Sequence, residues 1–398
     1  MSERSPAAPV PPASLYLASA EDAEDGRREV AGLPVAFRAL MVALRAGCPS
    51  VAVPPVFRGT EVEQAIERSE RARASAVWLN GASADAGTEP VILLPATVVV
   101  SPAALEALLH ASPLALLSAA PTEAPVVLAD QSVVSTVQSQ VAAGRPAGGD
   151  LRAALVARDA GVARGGWCVR ATSPPSRKDA ERRLYAELGS PIDTRLDRLV
   201  HRPLSRHLTR AAVALGVPPN PISLASLALG LLAAWCLARA TVESGVLGIV
   251  LYFAAAVLDH VDGEVARLTY AESRLGEWLD VVVDTVVHAS IAMAMAVAAE
   301  RVAGTGLGLG VVAAIGFALS ALSVKTSKGG EGMRRALASL GTRDGFYLLL
   351  VAFLAQLAVA PATLPALLLV AAVGAHAYWL GHLALRFRRI PAAGGRRR

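Results

Sequence analysis

The sequence predicts two structural classes in one chain. These are an N-terminal cytosolic α/β domain and an α-helical polytopic membrane domain, with six transmembrane helices preceded by an amphipathic juxtamembrane helix. Hydrophobic residues make up 54% of the chain and charged residues 18%. Acids, Arg and Pro concentrate in residues 1–215, whereas Leu, Ala, Val and Gly dominate residues 221–385. Helix-like and strand-like segments alternate in the first part, and six apolar stretches follow in the second.

Residues 1–170 are predicted to form the α/β domain. Its predicted elements are helix VAFRALMVALRAG, strand SVAVPPV, helix VEQAIERSERAR, and strands at WLNG and PVILLPATVVV. Ser101 before Pro102 predicts the start of a further helix, SPAALEALLHA. This alternation is typical of a mostly parallel sheet with helices on both faces.

Residues 171–179, ATSPPSRKD, are predicted to be a linker, and the juxtamembrane helix is predicted at 180–216. Apolar side chains recur in that helix with helical spacing, between Arg and His residues, at Leu196, Leu199, Val200, Leu204 and Leu208. The pattern is typical of a helix lying in the headgroup plane. We expect a break or kink at Pro203.

The membrane domain is predicted at 217–388, with a basic cytosolic tail at 389–398. A span needs about 20 apolar residues. The six candidates are 221–240, 244–260, 278–299, 305–324, 344–360 and 363–385.

The connections between the spans differ in charge. ARATVES, AERVAGTG and APATLP carry two Arg and no Lys, whereas KTSKGGEGMRRALASLGTRD and the tail RFRRIPAAGGRRR are strongly basic. By the positive-inside rule, we expect both termini and the basic segments in the cytosol, in a multi-pass protein of the inner (cell) membrane. The first residues, MSERSPAAPVPPASL, lack the apolar core of a signal peptide, so we expect the N-terminal domain to stay in the cytosol.

Charge and cysteine content argue against several classes of protein. The formal net charge of +5 comes from Arg clusters beside the spans, which suit anionic lipid headgroups, and we expect no nucleic-acid partner. Cys48, Cys168 and Cys236 have no CxxC or Cys/His spacing, so they predict neither a disulfide framework nor a zinc site.

Four aspartates stand within the segment DHVDGEVARLTYAESRLGEWLDVVVD, residues 259–284. The positions that share one helix face are Asp259, Asp262, Gly263, Ala266 and Arg267, and those on one face of the next helix are Gly276, Asp280 and Asp284. Unpaired carboxylates in a low-dielectric layer are costly, so a cation must neutralise them. Oxygen donors suit Mg²⁺ or Mn²⁺, and we expect two ions.

The other positions on the first face suit a phosphate ligand. Gly263 and Ala266 leave room for a bulky group to lie against the helix, and Arg267 has the geometry to fork onto a phosphate. Two metal ions on a diphosphate, with one carboxylate left as base, predict a phosphoryl-transfer site.

This segment resembles the signature of the CDP-alcohol phosphotransferase family, D-x2-D-G-x2-A-R-x8-G-x3-D-x3-D, at every fixed position. The resemblance covers about 180–385, and it implies six spans and a cytosolic active site. It implies that Asp259, Asp262 and Asp280 hold the metal ions. It also implies that Asp284 accepts a proton and touches the second metal.

The resemblance also assigns the donor site. The positions implied for the CDP moiety are Gly263, Ala266, Arg267, Gly276, Asn220, Ser223 and Ser273. Asn220 and Ser223 belong to PPNPIS, which is similar to the family's entry to the first span. In the implied reaction, the acceptor hydroxyl attacks the phosphorus that bears the donor alcohol, and CMP leaves. The expected partners are a CDP-alcohol donor, an alcohol acceptor, the lipid bilayer and a second copy of the chain in a homodimer.

GTRDGF at 341–346 resembles the branch that transfers inositol phosphate from CDP-inositol, which makes Arg343 a candidate for binding an acceptor phosphate. In that branch a cytidylyltransferase domain precedes the membrane domain. GLPVAFRALMVALRAGCPSVAVPP is similar to part of such a domain. SLYLASAEDAEDGRREVAGLP, however, lacks its glycine-rich loop and Lys, so a degenerate nucleotidyltransferase-like domain is predicted.

Four functions therefore stay open. The chain is a phosphatidyltransferase that uses CDP-diacylglycerol, a transferase that uses a soluble donor such as CDP-inositol, a bifunctional enzyme that also makes its donor from CTP, or a non-catalytic membrane scaffold. The complete signature favours a transferase in phospholipid or inositol-phosphate-type biosynthesis over the scaffold.

Overall fold

The structure, a computed structural model, describes residues 10–80, 90–111, 114–117, 124–158, 161–190, 193–326 and 343–388. Its contacts divide the chain into two units. One comprises Met1–Leu188 with Leu268–Tyr270, and the other comprises Gly189–Arg267 with Ala271–Arg398. The predicted basic segments at 327–342 and 389–398 lie outside the described residues.

The first unit is an α/β domain. Its strands are β1 (Ala13–Tyr16), β2 (Glu29–Val30), β3 (Leu33–Pro34), β4 (Val51–Val53), β5 (Ala76–Trp78), β6 (Val91–Pro95), β7 (Val98–Val100), β8 (Ala115–Leu117), β9 (Val127–Ala129), β10 (Gly161–Ala163) and β11 (Cys168–Arg170). Its helices are α1 (Asp22–Asp25), α2 (Val35–Arg45), α3 (Glu61–Arg68), α4 (Glu70–Ser75), α5 (Pro102–Leu109), α6 (Gln131–Ala142), α7 (Gly148–Ala157) and α8 (Pro174–Ala186).

Seven strands form one sheet in the order β10-β8-β9-β6-β1-β4-β5. Among the described strands of this sheet, only β9 runs antiparallel to its neighbours. Side chains on a strand alternate between its two faces. Accordingly, Leu15 packs in a cluster with Phe37 of α2, whereas Tyr16 packs in a cluster with Val137 of α6 and Leu151 of α7. A mostly parallel sheet with helices on both faces is therefore confirmed.

The predicted helix VEQAIERSERAR is divided in the structure. Helix α3 ends at Arg68 and α4 begins at Glu70. Ser69 between them caps α4, because its hydroxyl accepts a hydrogen bond from the Ala72 N–H at 3.3 Å. The strand expected at WLNG lies slightly earlier, at Ala76–Trp78.

The segment expected as a linker, 171–179, is helical from Pro174 onward. Ser173 and Ser176 form a capping box there, and a proline at the first helical position favours helix initiation. The change from one unit to the other falls later, after Leu188.

The second unit is helical. After a π-helical turn (Asp197–His201) come α9 (Arg202–Ala214), α10 (Pro219–Ala238), α11 (Val242–Thr269), α12 (Arg274–Ala303), α13 (Leu307–Thr326), α14 (Arg343–Val359) and α15 (Leu364–Arg388). In the described part of the chain, four helical stretches are long and apolar enough to cross a membrane: Pro219–Ala238, Val242–Thr269, Arg274–Ala303 and Pro361–Ala384. Leu307–Ser323 is a shorter apolar helix. These helices are consistent with a membrane domain, and the count of six spans stays a prediction.

Small residues let α12 approach the helices on either side of it. A methyl group added at Gly230 of α10 would overlap the Val287 side chain of α12, and one added at Gly310 of α13 would overlap Ala296. In a membrane, helices associate through this kind of close packing. The packing holds α12, which carries Asp280 and Asp284, in one place.

The juxtamembrane helix α9 buries polar side chains and exposes apolar ones. Arg202, Ser205 and Thr209 are buried, whereas Leu204 and Leu208 are both 44% exposed. An apolar face that the described residues leave uncovered suits the boundary between headgroups and acyl chains, which supports the predicted interfacial position. The helix continues through Pro203, and the irregularity is the π-helical turn directly before α9.

Candidate active site

Two consecutive helices bring three of the four signature aspartates together. Asp259 and Asp262 lie on α11 and Asp280 lies on α12, and carboxylate oxygens of all three lie within 4.8 Å of one another. Asp262 is buried and Asp280 is exposed, so the group can be reached from outside the protein. Three converging carboxylates are a donor set that fits a hard divalent cation. The helical spacing predicted that all four aspartates face one another, and the structure groups three of them.

Asp284 occupies a different position. It lies one turn beyond Asp280 on α12, is half-buried, and stands outside the group of three. Its backbone carbonyl oxygen lies 2.7 Å from Nδ1 of His288, whose Nε2 is 3.1 Å from the Tyr252 hydroxyl. His288 thus links α12 to α11. The placement of Asp284 is suited to a role other than holding the ion bound by the three.

Ser223 touches the carboxylate group directly. Its hydroxyl donates to Oδ2 of Asp262 at 2.5 Å, which fixes the orientation of that carboxylate. Ser223 was expected near the cytidine, and in the structure the shorter of its two hydroxyl contacts is with this aspartate.

Asn220, Ser273 and Gly276 meet at the start of α12. Ser273 caps the helix, because its hydroxyl accepts from the Gly276 N–H at 3.0 Å. A Cβ atom at Gly276 would lie 3.2 Å from the Ser273 hydroxyl and 3.8 Å from Oδ1 of Asn220. The three positions assigned to the donor by resemblance are therefore neighbours, although they come from two helices.

Gly263 and Arg267 are also neighbours. A Cβ atom at Gly263 would lie only 3.3 Å from Nη1 of Arg267, so the absence of a side chain lets the guanidinium lie along the helix one turn away. Arg267 is exposed, and Ala266 beside it is half-buried. Arg267 thus follows Asp262 closely in the sequence, and its guanidinium can be reached from outside the protein.

The sequence analysis missed a buried network that centres on Asp197, in the π-helical turn. Oδ1 of Asp197 lies 2.8 Å from Nδ1 of His201 and 2.9 Å from Nε2 of His260. Its Oδ2 accepts from the N–H and the hydroxyl of Thr194, both at 2.9 Å. Burial raises the pKa of Asp197, but hydrogen bonds from His201, His260 and the Thr194 backbone, together with the charge of Arg343, hold it well below its usual range. Asp197 therefore stays ionised.

The network continues from His260 to the carboxylate group. Nη1 of Arg343 lies 2.7 Å from Nε2 of His260, and Nη2 of Arg343 donates to Oδ2 of Asp259. His260 thus lies between Asp197 of the juxtamembrane segment and Arg343, which contacts a predicted metal ligand. Its immediate neighbour Asp259 was the signal in the sequence, but nothing in the spacing pointed to Asp197.

A second buried network involves Glu264, at a variable position of the signature. Glu264 is fully buried and accepts hydrogen bonds from Nη1 of Arg202 at 2.7 Å, from the Ser205 hydroxyl at 2.8 Å and from the Thr209 hydroxyl at 2.6 Å. Arg202 also forks onto Asp193 at 2.9 and 2.8 Å. These contacts attach α9 to α11 at the turn between Asp262 and Arg267.

Glu264→Gln is expected to destabilise the second unit by about 3 kcal/mol, because a neutral amide leaves the buried Arg202 charge less compensated and one donor without an acceptor. Thermal unfolding of the purified protein in detergent measures the change. Glu243→Gln, at the exposed start of the same helix, is the matched control. Equal midpoints for the two variants would contradict the assignment.

Comparison with known proteins finds similarities in the helical part. The family model for CDP-alcohol phosphatidyltransferase matches residues 217–382. A CDP-diacylglycerol--serine O-phosphatidyltransferase of Mycobacterium leprae (strain TN) is 39% identical over 82 residues, which are 21% of this chain and 26% of that relative. The match thus spans about a quarter of the relative's length. The three converging carboxylates, Asp284 and Arg267 all lie inside the matched region. Residues 217–382 of this chain therefore match the CDP-alcohol phosphatidyltransferase family, and part of the chain is similar to one phosphatidyltransferase.

Proposed function

We propose that this chain transfers a substituted phosphate group from a CDP-alcohol to an acceptor alcohol, with release of CMP, in a metal-dependent reaction. The observation that carries the proposal is the convergence of Asp259, Asp262 and Asp280 from two helices of the matched domain. Mg²⁺ or Mn²⁺ ions held by these carboxylates would neutralise the diphosphate and the departing CMP. Two ions are proposed, since a diphosphate offers oxygens to both.

The protein's own residues would perform the remaining tasks. Asp284 accepts the proton of the acceptor hydroxyl, whose oxygen then forms the new bond to phosphorus while the CMP oxygen leaves with the bonding pair. Arg267 donates to a phosphate oxygen of the donor. Ser223 acts indirectly, because it holds the carboxylate of Asp262 in place.

The CDP moiety is proposed to lie at the neighbouring starts of α10 and α12. Asn220, Ser273 and Gly276 meet there. Gly263 and Ala266 are proposed to form the floor beneath it on α11. A bulky side chain at Gly263 would meet the Arg267 guanidinium, so this position has room for a ligand only while it remains small.

CDP-diacylglycerol is the donor that we favour. The name of the mycobacterial relative includes that donor, and the two chains share 39% identity over 82 residues. A soluble donor such as CDP-inositol is the second candidate. It is supported by the placement of Arg343, the residue assigned to an acceptor phosphate, next to Asp259.

Release of CMP by the purified full-length protein tests the proposal. The donors are CDP-diacylglycerol and CDP-inositol, and the acceptors are serine, glycerol 3-phosphate and inositol phosphate. We expect one donor and acceptor pair to release CMP with Mg²⁺ or Mn²⁺, to stop with EDTA, and to resume when metal is added back. Release that EDTA does not affect would contradict metal dependence. No release with any pair would overturn the enzyme and favour the scaffold.

The location and assembly of the protein also remain proposals. The basic segments and both termini are proposed to face the cytosol, because Lys and Arg concentrate at that end of the predicted spans. Arg267 near the end of α11 and Arg343 at the start of α14 would place the active site at the same end. A homodimer is proposed from the family resemblance.

We propose that the N-terminal unit does not make the donor from CTP. Its sheet reverses strand order between β1 and β6, where ligands of open α/β sheets bind. The loop after β1 is closed at that edge by Asp22, which is fully buried. Its carboxylate accepts from the Ala18 N–H at 2.8 Å and pairs with Arg170 at 2.8 Å. The Ala18 N–H and the Arg170 guanidinium, which would hold a nucleotide phosphate, are thus already bonded to the Asp22 carboxylate.

The full-length protein is expected to release no pyrophosphate from CTP when supplied with inositol phosphate or glycerol 3-phosphate. The reason is that an internal anion already pairs with Arg170 where the triphosphate would bind. A coupled pyrophosphate assay measures this, with an authentic cytidylyltransferase as the positive control. Pyrophosphate formation above the buffer blank would make the chain bifunctional.

A further inference from the structure

A tyrosine and a histidine extend the two helix faces that carry the aspartates. Residues 270–273 join α11 to α12 at one end, and this short link limits how far one helix can slide along the other there. Farther along the helices, only side chains can prevent sliding. His288 follows Asp284 by four residues, so it continues the line of aspartates on α12. Tyr252 precedes Asp259 by seven residues, which places it on the same face of α11.

The two hydrogen bonds of His288 each have a defined direction. Its Nδ1 lies 2.7 Å from the backbone carbonyl oxygen of Asp284. Because a carbonyl oxygen can only accept, Nδ1 carries the proton. In the neutral imidazole, Nε2 then accepts from the Tyr252 hydroxyl at 3.1 Å. One imidazole ring thus connects the turn of α12 that carries Asp284 to α11.

Aromatic rings hold this pair in place. Tyr252 is only 3% exposed, and its ring centroid lies 5.2 Å from those of Phe346 and Tyr347 on α14. The Phe346 ring meets the His288 ring edge to face, with centroids 4.4 Å apart. These contacts leave the hydroxyl and the imidazole little freedom to turn toward other partners. Polar side chains that hydrogen-bond across helices in this way join the helices of a membrane domain in one arrangement.

The arrangement of the two helices matters for the carboxylate group. Oxygens of Asp259, Asp262 and Asp280 lie within 4.8 Å of one another, and they come from both helices. A slide of α12 by one residue, about 1.5 Å along its axis, would separate Asp280 from the other two. A hard divalent cation binds its oxygen ligands within a narrow range of distances. The same slide would also break the hydrogen bond between Tyr252 and His288.

We propose that Tyr252 and His288 are positioning residues, which fix the register of α12 against α11. This register sets the distance between Asp280 and the two carboxylates of α11, and it places Asp284 one turn farther along. The inference rests on the proposed function, because it concerns the same metal site, and it adds two residues that lie outside the signature. Neither side chain is assigned a contact with the ion or a substrate, since each acts through the position of a helix.

Binding of Mn²⁺ to the purified full-length protein, without donor or acceptor, tests the inference. The signal of free Mn²⁺ in electron paramagnetic resonance gives the dissociation constant. Tyr252→Phe keeps the ring and removes only the hydroxyl. It is expected to raise the Mn²⁺ dissociation constant by about 5-fold, because one hydrogen bond between helices is lost and other registers become accessible. CMP release should show the same shift in its Mn²⁺ requirement.

Two substitutions of His288 separate the two hydrogen bonds of its ring. The short amide in His288→Asn can still donate to the Asp284 carbonyl but ends too far from Tyr252, so this variant should bind Mn²⁺ as weakly as Tyr252→Phe. The longer amide in His288→Gln can reach the Tyr252 hydroxyl, so it should recover most of the affinity. Combining Tyr252→Phe with His288→Asn should cause no further loss, because both remove the same bond.

Tyr347→Phe is the matched control. It removes the same atom from a neighbouring ring, but the Tyr347 hydroxyl lies 3.1 Å from Nε2 of His201 and so joins α14 to the juxtamembrane segment. Its Mn²⁺ dissociation constant is expected to equal that of the wild type. A similar loss of affinity in Tyr347→Phe and Tyr252→Phe would mean that general loosening of the aromatic cluster causes the effect, and would overturn the inference.

The outcomes separate this inference from the proposed function. If the wild type binds Mn²⁺ but releases no CMP, the proposed function fails, while the comparison of variants still decides the inference. Unchanged Mn²⁺ affinity in Tyr252→Phe or in His288→Asn would overturn the inference and leave the proposed function intact. A wild type that binds no Mn²⁺ would overturn both the metal site and the inference.

Discussion

Asp262→Ala is expected to lower the rate of CMP release by about 10³-fold or more, because a metal ion contributes several kcal/mol of charge stabilisation to such a reaction. Asp262 is buried, and it belongs to the group of three carboxylates whose oxygens lie within 4.8 Å of one another. Its Oδ2 is also oriented by the Ser223 hydroxyl. Its removal therefore takes away a proposed metal ligand whose carboxylate a hydrogen bond from α10 holds in place.

The measurement is CMP release over a range of Mn²⁺ concentrations, with thermal unfolding to confirm that the variant is folded. Ser223→Ala keeps the carboxylate but loses its orientation, so it should require more Mn²⁺ for half-maximal rate and retain activity at saturation. Glu243→Ala, an exposed acid on the same helix, is the control and should behave as the wild type. A folded Asp262→Ala variant that retains a tenth of the wild-type rate would remove Asp262 from the metal site.

Asp284→Asn is expected to lower turnover by about 10²–10⁴-fold, the usual contribution of a general base. Donor binding should survive, because Asp284 lies outside the group of three converging carboxylates. The amide keeps the shape of the side chain but has no lone pair basic enough to accept the proton of a hydroxyl. The loss should therefore appear in kcat while the donor KM stays close to that of the wild type.

Asp280→Asn provides the contrast on the same helix, four residues away. It alters a residue of the carboxylate group, so both donor binding and turnover should fall. Donor binding is followed by the stabilisation that the CDP-alcohol confers on thermal unfolding. If Asp284→Asn loses donor binding as completely as Asp280→Asn does, the main contribution of Asp284 is to metal binding and not to proton transfer. If it keeps most of its turnover, another group accepts the proton.

Much of the site could be predicted from the sequence, because its logic is local. Residues three or four apart share a face of an α-helix, and a short segment joins the two helices, so four converging carboxylates could be expected. Three of them, Asp259, Asp262 and Asp280, do converge. The α/β class of the first unit followed from alternating periodicities in the same way. The exact positions at which helices begin and end were harder to foresee, because a serine can cap a helix at several places in such stretches. Ser69 ends one helix by capping the next, and Ser173 starts a helix inside a stretch that resembled a linker.

The sequence by itself determined which helices carry the carboxylates and which face of each one they occupy, since both depend only on chain spacing. The tertiary structure alone decided the partners of Asp197, His260 and Arg343. His260 and Asp197 are 63 residues apart, and Arg343 and His260 are 83 apart. No periodicity connects such positions, because helix packing, and not the local backbone, chooses which polar side chains share a buried space. The same holds for the polar face of α9. Its leucines suggested how the helix meets a membrane, but only the packed structure showed that Arg202, Ser205 and Thr209 meet Glu264 on the other side.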